Sequence, residues 1–137
     1  MPAPGETDLA VMLASLDVVR RPGVFTYVEV PGTPTTELAA LAHAVVVEDE
    51  GTTVVVPIEA ARAARLGGEL ELAWLTLTVH SSLEAVGLTA AFSAALGDAG
   101  ISCNVLAGYR HDHLLVPDAD AERAIEVLRD LAERSRS

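Results

Sequence analysis

A sixteen-residue unit occurs twice in this chain of 137 residues, sixty positions apart and without a gap, over residues 42–57 and 102–117. Each copy enters a polar tip from an apolar strand (Val45, Val46, Val47; Val105, Leu106, Ala107). Each leaves it by a second strand that ends in Val-Pro, at Val56-Pro57 and at Val116-Pro117. An Ala/Arg/Glu-rich segment of helical character follows both. A repeat of a whole strand–turn–strand unit signals duplication of a half-domain rather than a shared periodicity. Paired α+β halves are expected to form a seam, and seams are where small ligands usually bind.

Composition narrows the functional classes. Half of the residues are apolar, enough for one core or for two small half-domains that share one. The net charge of −11 repels phosphate backbones and anionic lipid, so neither nucleic acid nor a membrane is an expected partner. No apolar run approaches the roughly 20 residues of a membrane span. The first six residues lack the basic and apolar regions of a signal peptide, which makes a cytoplasmic location the expectation. Cys103 is the single cysteine and sits in an apolar strand, so it reads as a buried thiol. The chain has no phosphate-binding glycine loop and no nucleophile-elbow pattern. Neither an enzyme nor a cofactor is expected.

Local patterns supply the element order. Thr7 or Asp8 can cap a short helix with Leu9, Met12, Leu13 and Leu16 on one face. Pro22-Gly23 turns the chain into a strand over 24–30, and 35–41 has room for about two helical turns. A helix is expected over 58–66, ended by Gly67-Gly68. Leu75, Leu77 and Val79 alternate with Thr76, Thr78 and His80 in a strand over 70–80. Leu88, Phe92, Ala95, Leu96 and Ala99 mark an amphipathic helix that Gly100 stops. Asp118 or Asp120 can cap the last helix, with Ala121, Ala124, Ile125, Leu128 and Leu131 as its stripe. From Leu70 the order is strand, helix, strand, strand, helix, a ferredoxin-like arrangement without its last strand. The expected fold is α+β: two tandem ferredoxin-like halves, 1–69 and 70–137, with antiparallel sheets and helices on one face. The first half repeats the pattern with a shortened first helix, and one of its strands can complete the second half's sheet.

The stretch from Val86-Gly87-Leu88 to Ala99-Gly100-Ile101 resembles the signature of ACT domains, in which a Gly-Leu opens the first helix and Ala-Gly-Ile leads into the next strand. The segments around Leu75 to His80 and Ala107-Gly-Tyr-Arg-His-Asp-His resemble a family of small bacterial proteins with tandem ACT-like halves, related in fold to arginine sensors. The resemblance implies ligand capture in the loop between first strand and first helix, helped by the following strand. That places His80, Ser81, Ser82, Leu83, Glu84, Val86, Gly87 and Leu88 in the loop and Asn104 on the strand, where it is expected as a polar residue on the buried side. The residue chemistry suits this. A glycine lets backbone approach a ligand, helix-start N–H groups suit a carboxylate, and Glu84 can hold an amine. The first helix departs from many ACT domains in carrying Leu88-Thr89 where an acidic residue often follows the glycine.

His111, Asp112 and His113 form a dense hydrogen-bonding tip that can close over such a ligand. His111 and His113 can also face one ion with His80, but no further ligand motif accompanies them, and no metal is expected. The Glu48-Asp49-Glu50 tip reads as a solvated turn, and Trp74 as core or an interface anchor. The resulting expectation is a non-catalytic sensor that binds a small molecule, in particular an amino acid, and forms a homodimer. The alternative is a structural or protein-interaction domain without a ligand.

Overall fold

The computed structural model describes residues 8–79 and 86–136. The chain forms two compact units, and they do not follow the repeat boundary. The larger combines the segment ending at Arg21 with residues from Ala73 onward, and the smaller is Pro22–Leu72. The expected division at 69/70 followed the repeat in the sequence, whereas these units are defined by packing.

The larger unit begins with helix α1 (Leu9–Ala14) and strand β1 (Val18–Arg20). It continues with strand β5 (Leu72–Leu77), helix α4 (Leu88–Asp98), strands β6 (Asn104–Ala107) and β7 (Asp112–Pro117), and helix α5 (Ala121–Arg136). Its strand order is β1-β5-β7-β6. β1 lies antiparallel to β5, with Val18 opposite Leu77. The missing last strand of the ferredoxin-like pattern is thus supplied by the N-terminal segment. Strand alternation sends Ala73, Leu75, Leu77, Leu114 and Val116 to the helix layer, where they pack with Phe92, Leu96 and Leu128. Met12 and Leu16 of α1 join the same core, which is why this segment belongs to the larger unit. Asp8 caps α1 by accepting from the N–H groups of Ala10 and Val11. Asp118 and Asp120 occupy a 3₁₀ turn before α5, and the Asp118 carboxylate accepts from Arg20.

The smaller unit runs strand β2 (Phe25–Val30), helix α2 (Thr36–Leu41), strands β3 (Ala44–Val47) and β4 (Thr52–Pro57), and helix α3 (Ile58–Ala63). Its order is β3-β4-β2. Val28, Val30, Leu38, Val54, Val56 and Ala61 form its core. Thr35 caps α2, which has 6 residues against the 11 of α4, as the shortened first helix implied.

The duplication is visible in the registers. Ala44 pairs Val55 and Val47 pairs Thr52 in the smaller unit. Asn104 pairs Leu115 and Ala107 pairs Asp112 in the larger one, each residue sixty positions on. The two hairpins therefore hold the same topological place in their units.

Candidate functional site

The first-strand-to-first-helix corner of the larger unit is the place the sequence singled out. His80, Ser81, Ser82, Leu83 and Glu84 lie outside the described residues. Val86 is exposed, while Leu88 is buried in the core. Gly87 is the residue before α4 and has φ +100°, in the left-handed region that favours glycine. No side chain among the described residues caps α4, in contrast with Asp8 on α1 and Thr35 on α2. A Cβ at Gly87 would sit 3.0 Å from Cδ2 of Leu9, so the glycine also permits close packing of α1. Asn104 is exposed at the start of β6 rather than on the buried side.

Alternation places Trp74, Thr76 and His113 on the sheet face remote from the helices, because their neighbours 73, 75, 77 and 114 point into the core. Trp74 Nε1 donates to His113 Nδ1 at 3.3 Å, and Thr76 Oγ1 lies 2.9 Å from the same nitrogen. The Arg21 guanidinium sits 4.2 Å from the centroid of the Trp74 ring. An indole N–H can only donate, so Nδ1 of His113 acts as the acceptor and the ring proton sits on Nε2. Burial, with help from the Arg21 and His111 charges, holds the His113 pKa below its ordinary value. Burial raises the Asp112 carboxyl, and His111 partly offsets this.

A pH dependence follows from these directions. As pH falls through about 6.5, unfolded His113 takes a proton before the folded residue does, so stability drops until the lowered folded pKa is passed. Asp112 acts oppositely: its raised pKa lets the folded chain protonate first at lower pH, which recovers stability there. Protonation at Nδ1 also breaks the hydrogen bond from Trp74, the chain's sole tryptophan. Trp74 fluorescence titrated in the native state is expected to change with a midpoint below about 6.5, and the change is expected to vanish in His113→Phe. A midpoint at or above that value would contradict the burial of the neutral ring.

The smaller unit holds a groove of about 500 Å³ where the β2–α2 loop meets the β3–β4 tip. Pro31, Pro34, Val45 and Val47 give it apolar walls, and Glu48, Asp49 and Glu50 give it an acidic rim. Thr52 donates its hydroxyl to the Gly32 carbonyl at 2.6 Å and ties the tip to the loop. Gly51 is needed there, since a Cβ would lie 2.6 Å from the Val30 carbonyl oxygen. A second groove of about 500 Å³ crosses the helix layer between α4 and α5, lined by Ala95, Ala99, Val127 and four charged residues.

Of the sequence candidates, His113 is joined to a cluster with Trp74, Thr76 and Arg21 that sequence reasoning did not assemble. The signal was present as parity, since Trp74 and Thr76 share a face of one strand and His113 has the matching parity in β7. The groove at 31–34 was missed because nothing in Pro-Gly-Thr-Pro carries a chemical pattern. Among the described residues, no three His, Cys, Asp or Glu side chains converge to hold a metal ion. No described helix is long and apolar enough to cross a membrane.

Comparison with known proteins agrees with this architecture. ACT-domain family models match residues 4–83 and residues 69–130. No curated protein matches the chain in sequence. Among solved structures, a Vibrio cholerae protein of unknown function, described as a possible transport protein, is similar at 39% identity and TM-score 0.81. That likeness covers 90% of this chain and 95% of the other. An Agrobacterium tumefaciens protein shares the fold at 16% identity and TM-score 0.61, over 85% of this chain and 89% of its own. The regulatory subunit of aspartate kinase from Thermus flavus does so at 13% identity and TM-score 0.61, over 84% and 96%. A family model spanning more than half of the chain, two half-units of matching register and the Gly-Leu start of α4 agree, and the chain belongs to the ACT-domain family of regulatory, ligand-binding modules.

Proposed function

We propose that the chain is a non-catalytic, cytoplasmic regulatory module that binds a small molecule, in particular an amino acid, at the β5–α4 corner. The observation that supports this reading most is the start of α4. It begins after a left-handed glycine and lacks a side-chain cap among the described residues. The first N–H groups of a helix have no partner within it, and their partial positive charge favours a carboxylate. In this reading the backbone from Gly87 and Leu88 holds the ligand's carboxylate. His80, Ser81, Ser82, Leu83, Glu84 and Val86 surround the rest of it, Asn104 forms one wall, and His111, Asp112 and His113 close the tip.

A thermal-unfolding screen of the proteinogenic amino acids tests the reading. A ligand at 100 times its dissociation constant is expected to stabilise the protein by about 2.7 kcal/mol. A screen in which none of them raises the melting temperature favours the alternative, a structural or protein-interaction domain.

A further inference from the structure

The duplication left two equivalent hairpin tips with opposite chemistry. The sixty-residue offset sets Asp49-Glu50 of the β3–β4 tip against Tyr109-Arg110 of the β6–β7 tip. One tip is a pair of carboxylates and the other an aromatic ring beside a guanidinium. Neither is consumed within the chain: among the described residues, Asp49, Glu50 and Arg110 make no ion pair or hydrogen bond. Both Arg110 and Tyr109 are exposed, the latter at 72%. Acidic residues outnumber basic ones 20 to 9 in a chain of net charge −11, so carboxylates are the commonest charged groups a basic tip can meet on a second copy.

We propose that the Tyr109-Arg110 tip of one copy docks into the acidic groove of a second copy. The groove offers what this tip lacks. Its walls include Val45 and Val47, exposed at 53% and 81%, together with Pro31 and Pro34, a surface suited to a tyrosine ring. Its rim carries the carboxylates of Asp49 and Glu50, which suit the planar fork of arginine. A volume of about 500 Å³ accommodates two side chains. Thr52 and Gly51 fix the rim to the neighbouring loop, so the site is formed before the tip arrives. The attraction is local and the copies repel overall, so the charge pair decides specificity as well as strength. The contact joins unlike surfaces, which makes it heterologous.

A charge exchange tests this independently of any small-molecule ligand. Sedimentation at low ionic strength is expected to show concentration-dependent self-association of the unaltered chain, weakened by added salt. Arg110→Glu and Glu50→Arg are each expected to weaken it by about tenfold or more. Both positions lie in exposed turns, and native Trp74 fluorescence confirms that the variants are folded. The double variant Glu50→Arg/Arg110→Glu restores opposite charges with their places exchanged and is expected to recover association. A monomeric unaltered chain, single variants that associate unchanged, or a double variant as weak as the singles would each overturn the proposal.

Discussion

Met12→Ala is expected to destabilise the protein by about 2–5 kcal/mol, the range for removing a large aliphatic side chain from a closed core. Met12 is fully buried, and it sits in a core built mainly from residues beyond position 72. A helix of 6 residues has little stability of its own, so α1 exists because its apolar face is covered by the larger unit. Loss of the thioether therefore loosens the docking of α1 onto α5 as well as leaving a cavity. Against a total stability of about 5–15 kcal/mol this is a large fraction. Urea unfolding followed by Trp74 fluorescence measures it, because Trp74 lies in the same unit. A change below about 1 kcal/mol would mean that the N-terminal segment is an appendage and that residues from 73 onward form their core without it.

That the N-terminal segment belongs with the second half was not legible in the sequence. Repetition reports which segments descend from a common half, and it placed both hairpins, although Asp112 and His113, read as part of the tip, lie in β7. It says nothing about which apolar face covers which. The helix at Leu9 to Leu16 was evident from spacing and a cap at Thr7 or Asp8, yet its destination depended on an uncovered face of α4 and α5. β1 was invisible for a simpler reason: three residues, Val18, Val19 and Arg20, are too few to show alternation. The ferredoxin-like pattern did announce a vacancy at the edge of β5, and β1 fills it.

The candidate site was legible where a residue type has few uses and opaque where it has many. Gly87 was expected to let backbone approach a ligand, and its φ of +100° gives the glycine a backbone reason of its own. Asn104 misled in one respect: an amide among Cys103, Val105 and Leu106 suggested the buried side, yet it is exposed. An edge strand has no partner beyond it, so apolar neighbours there do not imply enclosure. Asp118 misled likewise, since a carboxylate before a helix is as useful to Arg20 as to the helix start.

Gly87→Val is expected to be the most damaging single change at the candidate corner, and the structure separates its two causes. A φ of +100° is costly for any residue with a Cβ and most for a β-branched one, at about 1–3 kcal/mol. The Cβ would also meet the Leu9 side chain at 3.0 Å, and crowding of this kind adds about 1–3 kcal/mol. Leu9→Ala in the Gly87→Val background is expected to relieve the crowding and leave the backbone strain, so the paired variants should be non-additive. Neither cause involves a ligand, because the Cβ points at Leu9. Asn104→Ala supplies the complementary measurement: the residue is exposed, so folding should be unaffected. If Asn104 hydrogen-bonds a charged ligand group, losing it costs about 1.5–3 kcal/mol, or roughly 10- to 150-fold in affinity by calorimetry with the amino acid that raises the melting temperature. Unchanged affinity in Asn104→Ala would remove that wall from the site. Should a folded Gly87→Ala also bind normally, the left-handed glycine serves only to seat α1 against the start of α4.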